Sequence, residues 1–242
     1  MNPQDAKNTQ AMKTAGMIGG LGPESTVIYY HKIISAFRAA KGDGSYPALV
    51  INSVNLQEVV DLVTAGDEAR LAAYLLAAIE KLAAAGADFG FISANTPHVV
   101  FDRLQRQSPI PLISIVEATC AEARQLRLLR LGLLGTRFTM EGSFYRDVFS
   151  SQGVELVVPE GAVREFLHRK YMDELVNGIV LPETRAQLQT LAERLKAEAG
   201  IEGLILGGTE LSLILPEETV AGVPVLDTTN IHVRAVVREL LK

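Results

Sequence analysis

The stretch FISANTPH, residues 91–98, carries an apolar run from Phe89 to Ile92 into a serine, an asparagine, a threonine and a histidine before the chain turns helical. Ligand chemistry in an open α/β sheet collects at such places, where strand ends meet helix N-termini. LILGGTEL, residues 204–211, is its counterpart in the second half and sets Ala94 opposite Gly208, an offset of 114. PLISIVEAT (111–119) matches PVLDTTNIH (224–232) at an offset of 113, and GMIGG (16–20) matches GLLGT (132–136) at 116. Three matches in unchanged order, at nearly one spacing, predict a duplicated architecture. The expected fold class is α/β: two pseudo-symmetric, doubly wound parallel-sheet lobes whose strand ends converge on an interlobe ligand cleft.

Short apolar strands alternate with amphipathic helices on either side of that stretch. Residues 14–19 read as a buried strand, followed by a helix over 25–40 with Val27, Tyr30, Ile34 and Phe37 on one face. Strands at 48–53, 89–93 and 111–115 and a helix at 67–85 complete the first half. Residues 1–12 read as a disordered tail, 13–113 plus 224–242 as the first lobe, and 114–223 as the second.

With 242 residues, 48% of them hydrophobic, the chain can bury a substantial core. Lys and Arg total 23 against 28 Asp and Glu, scattered along the chain, for a net charge of −5; that balance argues against a nucleic-acid or anionic-membrane partner. No apolar stretch approaches a bilayer span and no leader-like apolar core opens the chain, so a cytoplasmic protein is expected. One cysteine, Cys120, leaves no internal disulfide and no cysteine-cluster metal site; on a helix face with Val116 and Ala123 it reads as a buried, inert thiol. The four histidines lack zinc-like spacing, and neither a metal nor a cofactor is expected.

In the first turn, Asn95 and Thr96 suit a carboxylate, together with helix-start amides. His98 is open to two readings: a general acid or base, or a structural side chain starting the next helix behind Pro97. Thr209 and Glu210 are the polar candidates of the second turn. GGLGPEST, after the first strand, matches neither the dinucleotide nor the phosphate-loop spacing. Capping of the next helix by Ser25 or Thr26 explains it, with loop amides near Gly20 facing a ligand. Ser53 and Asn55 follow a strand end and are candidates for substrate contact. Thr136 and Thr139 open a helix in the second half, where a hydroxyl either caps the helix or binds a carboxylate.

GMIGGLGPEST followed by Tyr29-Tyr30, then NTPH, LGLLGTRFTM with Phe144-Tyr145, DELVNGIV and GGTELSLIL, in this order from about residue 13 to the C-terminus, resemble the aspartate/glutamate racemase family. The resemblance implies two α/β lobes, an interlobe site, a homodimer, and cofactor-independent proton transfer at the α-carbon of an amino acid. It also implies catalytic positions at the family's two cysteines, one per lobe. These fall here at Ala94 and Gly208, neither of which carries a proton, and should face each other across the cleft. Thr96, His98 and Thr209 remain as catalytic candidates. Gly20, Ser53, Asn55, Asn95, Thr96, Thr136, Thr209 and Glu210 are the substrate-binding ones. Arg169 aligns with a basic residue that holds the distal carboxylate of an acidic substrate; its other reading is an exposed helical charge. Three functions stay open: a racemase or epimerase using substituted groups, an altered or inactive homologue that binds a small carboxylate or amino acid, and another cofactor-independent isomerase or decarboxylase of a small acid.

Overall fold

Strand Thr14–Gly19 (β1) is apolar on both faces, which suits a central strand covered by helices on each side. In this computed structural model, which describes residues 12–242, β1 is followed by α1 (Pro23–Lys41), β2 (Ala48–Ser53), α2 (Leu56–Thr64), α3 (Glu68–Ala84) and β3 (Phe89–Ile92). A 3₁₀ turn at Thr96–Val100, α4 (Phe101–Gln107), β4 (Leu112–Ile113) and α5 (Ile115–Gln125) end the first half. The second half runs β5 (Arg130–Gly135), α6 (Arg137–Glu141), α7 (Ser143–Ser151), β6 (Glu155–Val157), α8 (Gly161–Asp173), α9 (Pro182–Ala199) and β7 (Gly203–Gly207). It closes with α10 (Leu211–Ile214), β8 (Thr219–Val220), β9 (Val223–Asp227) and α11 (Thr228–Leu240). The tail expected at 1–12 lies outside the described residues except for Met12.

Two sheets result, ordered β2-β1-β3-β4 and β6-β5-β7-β9-β8. Every pairing is parallel except β8 with β9. The order of the first sheet recurs in β6-β5-β7-β9, so the repeat seen in the sequence is a repeat of topology, with β8 added at an edge. The strands end on one side of each sheet, which brings the turns after β3 and β7 to the boundary between lobes.

The closing helices are exchanged between lobes. Helix α5 follows the first sheet yet buries Ile115, Val116 and Cys120 with Leu131, Leu133 and Tyr145 of the second. Helix α11 follows the second sheet yet buries Val233 and Val236 with Met17, Tyr29 and Phe37 of the first. Residues 224–227, expected in the first lobe, instead form most of β9 and pair with β7. Strand pairing obeys the local strand–helix–strand order, and only the helix crosses over.

Two elements differ from expectation. Helix α1 buries Ser25, Tyr29, Ile33 and Phe37 and leaves Val27 and Tyr30 exposed, because its inner row is set by contact with β1 and α11. It begins at Pro23 with Gly22 as its N-cap, and neither Ser25 nor Thr26 takes the capping position. Ser25 Oγ donates to the Ser93 carbonyl at 2.9 Å, and Thr26 Oγ1 accepts from the Gly20 N–H at 2.8 Å. Strand β4 keeps only two residues, since Pro111 has no N–H for a ladder and Ser114 already caps α5, accepting from the Glu117 N–H. Among the described residues no helix is long and apolar enough to cross a membrane, and no group of three acidic, His or Cys side chains is placed to hold a metal ion.

Candidate active site

The turns after β3 and β7 meet at one cavity of about 90 Å³. At ~10–15 Å³ per water-sized group this holds on the order of six to nine such groups, the size of a small amino acid. Ala94, Asn95 and Thr96 line it from the first lobe; Thr136, Gly208, Thr209 and Glu210 line it from the second. Leu56, Val59, Val63, Phe138 and Met172 make much of the remaining wall apolar.

Hydroxyl and amide groups stitch the lobes together at the cavity floor. Thr96 Oγ1 lies 3.0 Å from Thr136 Oγ1 and 3.1 Å from Thr139 Oγ1, a cross-lobe triangle closed by Thr136 and Thr139 at 3.2 Å. Thr136 combines two roles, since its side chain also accepts from the Thr139 N–H and caps α6. Asn95 is buried with its Oδ1 accepting from the Tyr145 hydroxyl at 2.6 Å and its Nδ2 donating to Thr228 Oγ1 at 3.2 Å. Both ends of that amide bind protein, so its side chain acts mainly as an interlobe tie.

The second turn is organised around one carboxyl group. Glu210 is 2% exposed, and its Oε2 accepts from the Tyr171 hydroxyl and, at 2.7 Å, from Thr209 Oγ1. Burial and the neighbouring Glu210 push the Tyr171 phenol well above its usual range, which keeps it a donor. Among the described residues Glu210 Oε1 accepts no hydrogen bond, and it faces Gly22, where an added Cβ would lie 2.5 Å away. At Gly208 an added Cβ would lie 2.7 Å from the Tyr171 hydroxyl oxygen and 2.8 Å from Cζ. The phenol therefore occupies the volume that a side chain at 208 would take.

Other candidates stand elsewhere. His98 does not line this cavity and is 2% exposed, with Nδ1 donating to the Ala94 carbonyl at 3.0 Å and Nε2 accepting from the Ile115 N–H at 3.2 Å. Burial, with His232 nearby, pushes its pKa down to about 3. Both ring nitrogens bond protein groups, which ties the 93–98 turn to the start of α5. Arg169 points to solvent on α8 and is absent from the cavity wall, because the inner row of that helix is Leu167 and Tyr171. Ser53 and Asn55 are exposed, with Asn55 capping α2. Gly20 sits one residue outside the wall at φ +79°, where a Cβ would lie 2.6 Å from Ser53 Oγ. Its demand is a tight turn beside β2. Tyr171 and the α2 wall escaped the sequence reading. The i, i+4 spacing of Leu167, Tyr171 and Leu175 was the signal that points Tyr171 inward and Arg169 outward.

Comparison with known proteins places this arrangement among relatives. A family model described as Asp/Glu/Hydantoin racemase matches residues 18–236. The broad specificity amino-acid racemase RacX of Bacillus subtilis (strain 168) is 26% identical over 225 residues, 88% of this chain and 92% of RacX. The crystal structure of PH1733, an aspartate racemase homologue from Pyrococcus horikoshii OT3, superposes with a TM-score of 0.82 at 37% identity, covering 96% of this chain and all of that one. Picrophilus torridus aspartate racemase shares the fold at a TM-score of 0.75 and 21% identity, over 95% of each chain.

Proposed function

The chain belongs to the Asp/Glu/hydantoin racemase family, and on that premise we propose that it is an amino-acid racemase, moving the α-proton of its substrate without a cofactor in the cavity between its lobes. The observation that carries this reading is the meeting of two repeat-related turns, one from each lobe, around a single small cavity. In this reading Thr96 and Thr136 offer hydroxyls to the substrate's α-carboxylate, with main-chain amides of the Asn95–Thr96 turn, while the Thr209 hydroxyl is spent on Glu210. Glu210 contacts the reacting end, and Ala94 and Gly208 form the walls on either side of it.

The substrate side chain is uncharged. None of the described residues that line the cavity is Lys, Arg or His, and Arg169 is turned away. An acidic side chain would be desolvated there without a counter-charge, at a cost of several kcal/mol, whereas the apolar wall rewards an aliphatic one. A homodimer is part of the same proposal, supported by apolar side chains exposed on α1 and the edge strand β2: Val27 at 52%, Tyr30 at 44% and Ile51 at 40%. Residence in the cytoplasm is proposed with it, supported by a sole cysteine that is buried and unpaired.

The test is chiral analysis of L- and D-alanine, serine, leucine, methionine, aspartate and glutamate after incubation with the protein. Appearance of the opposite enantiomer from uncharged amino acids, with little from aspartate or glutamate, supports the reading. Failure to interconvert any of them, with no rise in melting temperature in their presence, overturns it.

A further inference from the structure

We propose that Glu210 is the cavity's proton carrier, that Tyr171 is its positioning residue, and that the protein itself carries the α-proton on the substrate face turned toward the second lobe, leaving the opposite face to water. This rests on the racemase reading above. Among the described residues lining the cavity only Glu210 and Tyr171 carry a titratable proton, and both belong to the second lobe. The described residues of the first lobe supply the wall with no titratable side chain. His98, the nearest alternative, stands behind the turn with both ring nitrogens bonded.

The hydrogen bonds divide the carboxyl group between two tasks. Oε2 accepts from the Tyr171 and Thr209 hydroxyls, which fixes the plane of the group. Oε1 is left without a partner among the described residues, beside the bare backbone of Gly22. A carboxylate held in this way can take a proton on one oxygen while the other stays bonded. The absence of a side chain at 208 is what admits the phenol, since a Cβ there would collide with the Tyr171 ring.

The step is balanced. The substrate Cα–H bond breaks, its proton passes to Glu210 Oε1, and the electron pair moves into the substrate's own α-carboxylate, where the threonine hydroxyls stabilise the added charge. Return of the proton from Oε1 restores the starting enantiomer. Delivery from water on the other face inverts it, and the proton held on Glu210 Oε1 then neutralises the hydroxide left behind, which restores the carboxylate. With a protein carrier on one face only, exchange of the α-hydrogen with solvent runs ahead of inversion, and more so for one enantiomer than for the other.

The experiment follows α-hydrogen exchange in D2O by proton NMR, with inversion measured in the same samples, for L- and D-alanine, leucine and methionine. The wild-type protein is expected to exchange one enantiomer about tenfold or more faster than it inverts it. Glu210→Gln should slow exchange on the order of 10²- to 10⁴-fold, and formate added to Glu210→Ala should restore part of it. Tyr171→Phe should lower kcat about tenfold with KM within twofold, since it removes one hydrogen bond to the Glu210 carboxyl group. Exchange at the wild-type rate in folded Glu210→Gln, or exchange equal to inversion from both enantiomers, overturns the proposal and leaves the racemase reading standing. A wild-type protein that exchanges no α-hydrogen overturns both. The Gln and Ala variants test the same oxygen independently, so an unfolded variant leaves the other to decide.

Discussion

At position 208 the main chain passes so close to the Tyr171 ring that a methyl group has no room. Gly208→Ala should therefore act as overpacking and cost about 1–3 kcal/mol in urea unfolding. Adding Tyr171→Ala in the same chain should relieve that cost, so the double variant is less destabilised than the sum of the single ones. A cost that is simply additive would mean that the ring and the backbone do not compete for this space. The same crowding explains why two neighbouring residues of α8 fare so differently. Tyr171 lies in the buried row with Leu167, and Arg169, two positions away, lies in water. A linear motif assigns a charge to a site by proximity in sequence, whereas a helix assigns it by rotation about an axis. The candidates that the cavity does gather, Ala94, Asn95, Thr96, Thr136, Gly208, Thr209 and Glu210, all sit at strand ends, where sequence position and spatial position coincide.

Among the elements, two buried histidines act as staples. His98 joins the turn after β3 to the start of α5, and His232 joins α11 to the Tyr29 hydroxyl of α1 and to the Ile113 carbonyl of β4. Burial pushes their pKa values down, to about 3 and about 4. The native rings stay neutral while those of the unfolded chain take up protons below about pH 6.5. Their contribution to stability is therefore whole above that pH and falls as the pH drops toward the native values. Between pH 7 and pH 5 each should forfeit on the order of 2 kcal/mol of unfolding free energy. Urea titrations at the two pH values check this, and His232→Gln should remove one histidine's share of the loss. A stability that is flat from pH 7 to pH 5 would refute neutral, buried rings at both positions.

Across the whole molecule, the exchange of α5 and α11 makes each lobe depend on the other for part of its core. Removal of residues 228–242 should expose Met17, Tyr29 and Phe37 and leave a chain that does not fold, whereas two independent lobes would keep the second intact. Circular dichroism and a melting curve distinguish these outcomes, and the full chain should melt in one cooperative transition. The α/β class and the duplication were legible in the sequence. Apolar runs of strand length, separated by amphipathic helices and recurring at one offset, can be buried in few other ways. The two turns that meet at the cavity were legible for the same reason, because strand ends in such sheets converge. The inner face of α1, the pairing of β9, the inward Tyr171 and the outward Arg169 were decided by tertiary structure. Each depends on which of several amphipathic surfaces a partner element covers, and that choice is made by packing between segments as far apart as α1 and α11.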